Sequence, residues 1–259
     1  RQSRYEIADV VTTAVAADGG YVINGEKTVV VHGGTANKFI VTARSSGEQF
    51  DAEGVSLFMV DAAAEGVSLK SYQTMDGQRA ATVQFDNVRV TDDQLLNSLG
   101  QGMHLIDHVM PQILIALSAE ALGIMSTLNA ITVDYSKTRQ QFGTPIGSFQ
   151  VLQHRMVDTF IACEQTKSML YRGLCQANEY AANPDAGNAE FLKSVHALKA
   201  TIAKSGKLIG EEAIQLHGGI GMTDELNIGH FVKRLMTINV SFGNGDFHQK
   251  KFNQLNYSA

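Results

Sequence analysis

Arg139, Phe142, Gly143, Gly147 and Gln150 fall in one short segment, Arg139-Gln-Gln-Phe-Gly-Thr-Pro-Ile-Gly-Ser-Phe-Gln150, between two long runs of helical periodicity. A guanidinium is permanently charged, and its planar fork matches phosphate oxygens. An aromatic ring and a terminal amide suit a flat heterocycle, and glycine lets backbone approach a ligand closely. Taken singly, each has a plainer reading. Arg139 favours a helix C-terminus, Phe142 is a core ring, and the glycines make turns. A second break, Gln215-Leu-His-Gly-Gly-Ile-Gly221, follows another helical run. There Gln215, Gly218 and Gly219 either close a helix with a left-handed cap or offer N–H donors to a phosphate. Together the two segments predict that the helical half of the chain holds something with a phosphate and a flat ring. The eight histidines are scattered and read as structural or surface groups. No Cys/His spacing suggests a metal, so none is expected.

The elements that must position these residues fall into two halves. Residues 1–97 read as strands with regular turns, a small β-sandwich or barrel. Tyr21–Val31 places Asn24-Gly25 between two β-rich runs, a hairpin signal. Further short strands are expected at Phe39–Ala43, Val55–Val60, Val67–Leu69 and Ala81–Phe85, with turns at Asp18-Gly-Gly20, Gly33-Gly34, Glu65-Gly66 and Asp76-Gly77. After Gly100-Gln-Gly102 the apolar period becomes helical, with Leu105, Val109, Ile113 and Leu117 on one stripe. Residues 98–259 then read as an approximately four-helix bundle over 103–137, 151–180, 189–217 and 225–240. The 151–180 stripe is Leu152, Met156, Phe160, Cys163 and Leu170. The fold class is α+β.

Composition narrows the function further. A net charge of −5 with 44% hydrophobic and 18% charged residues is that of an ordinary globular protein and argues against a general nucleic-acid or membrane surface. No apolar run stands out as a bilayer span, so membrane insertion is not expected. Cys163 and Cys175 read as reduced core residues of a cytoplasmic protein. The first residue is Arg1 in what reads as mid-domain loop, which leads to the expectation that an N-terminal part is missing.

The runs NGEK, MDGQRAATVQFDNVRV, TRQQFGTPIGSFQ and QLHGGIGMTDE, in this order, resemble the acyl-CoA dehydrogenase family over nearly the whole chain. The resemblance implies a middle β-domain and a C-terminal helical domain, with the family's N-terminal helical domain absent from this sequence. It also implies FAD lying across a subunit interface. Arg139, Phe142 and Gln150 then contact the pyrophosphate and adenine side of a neighbouring subunit's flavin, and Gln215, Gly218 and Gly219 form the second strip of that contact. The implied substrate is an acyl-CoA thioester, dehydrogenated between its α and β carbons. The implied electron acceptor is an electron-transferring flavoprotein, and the implied site of action is the bacterial cytoplasm.

Two departures from the family pattern shape the expectation. The family's reaction needs a carboxylate beside the thioester, and at its usual position this chain has Gly243; the second family location falls near Ile113. Neither side chain takes a proton, so the catalytic residue is left unassigned. Asp246 and Glu120 are the nearest carboxylates in sequence, and Asp246 has the plainer reading of an N-cap for a closing helix. Val29 and Val31 stand where the family offers a Trp and a Thr to the flavin ring. Groups for the chain's own flavin are thus degraded while those for a neighbour's are kept. That pattern resembles the small subunit of heteromeric enzymes of the pimeloyl-CoA dehydrogenase type, whose relatives act on steroid side-chain CoA esters. The expectation is a heterotetramer with a homologous subunit that supplies the base. A self-sufficient (homotetrameric) enzyme using Asp246 and a flavin-free structural paralogue are the alternatives.

Overall fold

The computed structural model describes residues 3–184 and 187–257. It divides into two compact units, Arg1–Met110 and Pro111–Ala259.

The first unit holds one seven-stranded sheet, β1 Thr13–Ala17, β2 Gly20–Val31, β3 Lys38–Arg44, β4 Val55–Asp61, β5 Val67–Gln73, β6 Arg79–Thr91 and β7 Leu95–Leu96. Its spatial order is β5-β6-β2-β1-β3-β4-β7. Neighbours are antiparallel except β1 and β3. Although β4 and β6 are far apart in that order, Phe58 and Val60 of β4 share one core with Val83 and Phe85 of β6 and Val41 of β3. The sheet therefore curls over its own apolar face as a barrel does. Tyr21 crosses this interior to meet Phe58, with ring centroids 5.2 Å apart.

All four expected strands are present, each longer than expected, but the hairpin at Asn24-Gly25 is not. Those residues lie inside the twelve-residue β2, where the register against β6 shifts. The shift is a β-bulge: Asn24 Oδ1 accepts from the Asn87 backbone N–H at 2.8 Å, and a Cβ at Gly25 would lie 2.8 Å from Thr12 Cα. The glycine serves close strand approach and not a reversal of direction. The reversal falls at Asp18-Gly19, a two-residue connection closed by the Ala17–Gly20 pair.

Arg44 organises the edge of this unit. Its side chain is 8% exposed, and its two terminal nitrogens donate to the carbonyls of Ala8, Gln49, Asp51 and Glu53 at 2.7–2.9 Å. Four neutral acceptors from two separate segments converge on one planar cation, which fixes the 45–54 loop against residues 8–10.

The second unit is built on α1 Gly102–Thr138, α2 Gln150–Ala182, α3 Ala189–His217, α4 Ile228–Val240 and α5 Gly245–Tyr257. The expected start of the fourth helix at 225 moves to Ile228. The first turns of α1 belong with the sheet, because Met103 packs with Val55, Ala8 and Val10. The stripe of Leu105 and Val109 is exposed, and the buried stripe of α1 runs instead through Leu114, Ser118, Ala121, Met125 and Leu128. A helix with apolar residues around most of its circumference leaves the choice of buried stripe to its neighbours. By length and composition α1 also matches a membrane span, contrary to the expectation from the sequence that none does. On α2 the buried line is Thr159, Cys163, Thr166 and Leu170, and Phe160 lies outside it. Cys163 is buried as expected, whereas Cys175 is exposed.

Replacing Arg44 by Met removes the side-chain donor from four carbonyls, that of the buried Ala8 among them, while Gln49 O keeps the Val10 N–H. Urea unfolding should show a loss of about 3 kcal/mol or more. Arg44→Lys, with one point charge in place of the fork, should recover only part of it.

Candidate functional site

The Arg139 segment is a tight hairpin appended to the end of α1. Strand β8 Gln140–Gln141 pairs with β9 Thr144–Pro145, and the Ile146 N–H donates to Arg139 O at 2.8 Å. The two turn residues, Phe142 and Gly143, have φ of +55° and +78°. Positive φ at both central positions is the primed turn that two-residue hairpins require. Phe142 is therefore carried to the tip, 92% exposed, with its ring edge-on to Phe149. It is not the core ring of the plainer reading.

The Gln215 segment closes α3. Gly218, at φ +63°, caps the helix and donates its N–H to the carbonyls of Gln215 and Ile214. His217 is buried and stacks on Tyr135 of α1, with centroids 4.4 Å apart and planes at 26°. Its Nδ1 donates to Ala213 O at 2.8 Å, and the Tyr135 hydroxyl lies 3.4 Å from His217 O. This stack holds the end of α1 against the end of α3, so residues 76 positions apart in sequence line one cavity.

That cavity, of about 480 Å³, is lined by Arg139, Tyr135, Gln141, Gln215, Gly218 and Gly219, among others. Nothing lies within 4 Å of the place a Cβ would take on Gly218 or Gly219. One guanidinium, two amides and an uncovered glycine backbone fit a phosphate-bearing ligand. Phe142 and Gln150 do not line it: Phe142 is at the hairpin tip and Gln150 is exposed on the first turn of α2. Tyr135 and Gln141 line the cavity without having been expected there from the sequence. Tyr135 carried a usable signal, since it lies one helical turn before Arg139, whose N–H its carbonyl accepts at 2.8 Å.

The carboxylates named as possible bases are placed elsewhere. Glu120 of α1 is gripped by Arg234 of α4, with Nε–Oε1 of 2.6 Å and Nη2–Oε2 of 2.8 Å. Asp246 is exposed in the first turn of α5, where a negative charge suits the helix dipole. It is not the N-cap: Asn244 is, its Oδ1 accepting from the Phe247 N–H at 3.0 Å. Ile113 is half-buried on α1. In the first unit Val29 and Val31 are exposed, and the Val29 N–H donates to the Tyr72 hydroxyl at 3.0 Å.

Around Gly243 the structure reveals a cluster that sequence periodicity did not signal. Lys199 of α3 is 0% exposed and donates to Ile238 O, Asn239 O and Gly243 O at 2.9–3.1 Å. His248 of α5 is buried, and its Nδ1 lies 2.8 Å from Nδ1 of His196 on α3. Burial lowers the Lys199 ammonium to about 8. Burial, then Lys251, lowers His196 to about 4. Burial, then His196 and Lys199, lowers His248 to about 3, against smaller opposing bonds to the Phe242 and Gly243 backbone.

The chain belongs to the acyl-CoA dehydrogenase family. The sequence model of that family's middle domain matches residues 1–88, and the model of its C-terminal domain matches residues 100–251. Among curated proteins it is similar to the mitochondrial isovaleryl-CoA dehydrogenase of Solanum tuberosum, 26% identical over 248 residues, covering 93% of this chain and 58% of that protein. Of solved structures, PigA with FAD and proline is similar at a TM-score of 0.90 and 24% identity, over 100% of this chain and 66% of that one. The ChsE4-ChsE5 complex of Mycobacterium tuberculosis is similar at 0.81 and 20%, over 96% and 63%. The chain thus spans about three fifths of the length of the curated relatives it matches. It carries the middle and C-terminal domains, the curled sheet and the helical unit described above.

The histidine pair sets a pH dependence whose sign is fixed. Both imidazoles have folded values below the unfolded value of about 6.5, so the unfolded chain binds more protons between the two. Stability should be full above about pH 6.5 and fall toward pH 4. Each histidine contributes at most about 1.4 kcal/mol per pH unit within the window. Urea unfolding across this range reads the slope, and His196→Asn should flatten it.

Proposed function

We propose that this chain is a subunit of an FAD-dependent acyl-CoA dehydrogenase, supplying contacts to a flavin and not the catalytic base. The carrying observation is a contrast within the helical unit. A cavity suited to a nucleotide phosphate is complete at Arg139, Gln215, Gly218 and Gly219, while the α4–α5 turn presents Gly243 with no proton acceptor.

In this reading the Arg139 guanidinium would hold the diphosphate of FAD, and the open Gly218–Gly219 backbone would let it approach closely. The Gln215 amide hydrogen-bonds the adenosine side. Phe142 and Gln150, outside the cavity and exposed, would be free to contact a flavin shared with another chain. FAD, when bound, would supply a hydride acceptor for the substrate's β carbon. The α-proton goes to a carboxylate of a homologous partner subunit, because Val29, Val31 and Gly243 leave this chain without a ring-binding platform or a base of its own.

The partner supports the reading by analogy: the similar ChsE4-ChsE5 structure is a complex of two different chains, and PigA carries FAD on the same fold. The assembly is an α2β2 heterotetramer in the bacterial cytoplasm, acting on the CoA ester of a fatty acid or steroid side chain. Its electrons pass to an electron-transferring flavoprotein.

The chain purified alone should show no flavin absorbance, and co-purification with the partner should give the flavin spectrum at one flavin per two chains. A fully flavinylated homotetramer that oxidises acyl-CoA would defeat the proposal. Within the complex, Arg139→Ala should weaken FAD retention about tenfold or more, read as flavin released on dilution. Asp246→Asn should leave turnover unchanged, and a large loss there would restore the self-sufficient reading.

A further inference from the structure

The turn between α4 and α5 is closed in a way that the absence of one carboxylate does not require. Gly243 is buried at φ +119°, a backbone region closed to most side chains. A Cβ there would lie 2.5 Å from Phe247 Cδ1 and 2.6 Å from His248 Nε2. Both atoms belong to packed rings, and the His248 ring meets Phe247 edge-on and His196 at a tilt. There is no room for a side chain at 243, acidic or otherwise.

The hydrogen bonds fix which proton sits where. A carbonyl only accepts, so the contact of His248 Nε2 with Phe242 O at 3.2 Å puts a hydrogen on Nε2. The His248 Nδ1 of a neutral ring is then an acceptor, and His196 Nδ1 must donate to it across 2.8 Å. Burial, which lowers both imidazoles well below neutral pH, then leaves each ring neutral in a single tautomer. Behind them Lys199 binds the carbonyl of Gly243 itself and those of Ile238 and Asn239. The last carbonyls of α4 and the turn are thus tied to α3 from one side, while the histidine pair ties α5 to α3 from the other.

We propose that His248, aligned by His196 and backed by Lys199, is a plug that fills the space beside residue 243 and prevents the α4–α5 turn from presenting a proton-accepting side chain at that position. This deepens the reading of the chain as a subunit without a base: the loss of the carboxylate is locked in by neighbours and cannot be reversed at one position. Lys199 and His248 are positioning residues of the turn. An acidic side chain forced in at 243 would also lie in the turn whose carbonyl the Lys199 ammonium binds, and a nearby cation makes a carboxylate a weaker base.

The test is a double-mutant cycle on the full chain, read by calorimetric melting, which needs neither flavin nor partner. Gly243→Ala and Gly243→Glu should each lower Tm by about 5 °C or more. In a His248→Ala background the further loss caused by either change should be smaller by about 2 °C or more, the strain at positive φ and the Phe247 contact being left in place. Strain at positive φ alone is the same in both backgrounds, so an equal loss with and without the imidazole overturns the plug. If His248→Ala does not fold, His248→Asn replaces it, removing the ring atoms beside residue 243 while keeping an acceptor for His196 Nδ1. An independent reading comes from nitrogen-15 spectra of the unaltered chain at neutral pH. They should show His248 protonated on Nε2 and His196 on Nδ1, both uncharged, and a cationic ring at either position would overturn the proposal. Because these measurements ignore cofactor and partner, the plug and the flavin-sharing reading can fail separately.

Discussion

A fully buried ammonium governs the end of the helical unit. Lys199 enters from the middle of α3 and spends its three N–H donors on three carbonyls, two at the end of α4 and one in the turn beyond. No carboxylate is among these partners, so the favourable term is the sum of helix-end and turn dipoles. Burial makes the arrangement demanding: an ammonium away from water is tolerated only with every hydrogen placed on an acceptor. The α4–α5 turn must therefore be rigid, and its shape follows from where Lys199 can reach. Gly243 at φ +119°, the cap by Asn244 and the inward ring of His248 are all consequences of that one anchoring point.

The cavity at the other end of α3 rests on a different principle. There the Tyr135–His217 stack joins the C-terminal ends of two helices. Both are C-termini, whose carbonyl dipoles favour cations, so an anion there depends on the Arg139 guanidinium, which the hairpin that follows α1 brings to the cavity with the Gln141 amide. One helix thus separates two functions of the fold. Its C-terminus is open and polar, suited to a ligand, while its middle is sealed around a turn that carries no acid–base group.

Much of the candidate site was legible because it is local. Gly-rich breaks after helical runs, a permanent cation and amides at fixed spacing are properties of short segments, and Arg139, Gln215, Gly218 and Gly219 do meet in one cavity. Phe142 and Gln150 share that segment but not the cavity, because a primed turn throws residue 142 outward and Gln150 already belongs to α2. The Asn24-Gly25 pair shows how a local signal fails. The dipeptide allows a reversal of direction but does not compel one, and β6 captured it as a bulge through Asn87.

What the sequence by itself determined is the order of elements, the change from a two-residue to a helical period near residue 100, and the chemical types gathered at the two glycine breaks. These follow from side-chain spacing and backbone freedom, which act over a few residues. Only the tertiary structure decided which stripe of α1 is buried, which hairpin turn is real, and that Lys199, His196 and His248 converge on Gly243. Convergence of residues 39 to 52 positions apart depends on how helices pack, and packing is set by all neighbours together. A glycine at 243 can be read from the chain as a missing carboxylate; that the space is already filled can be read only from the fold.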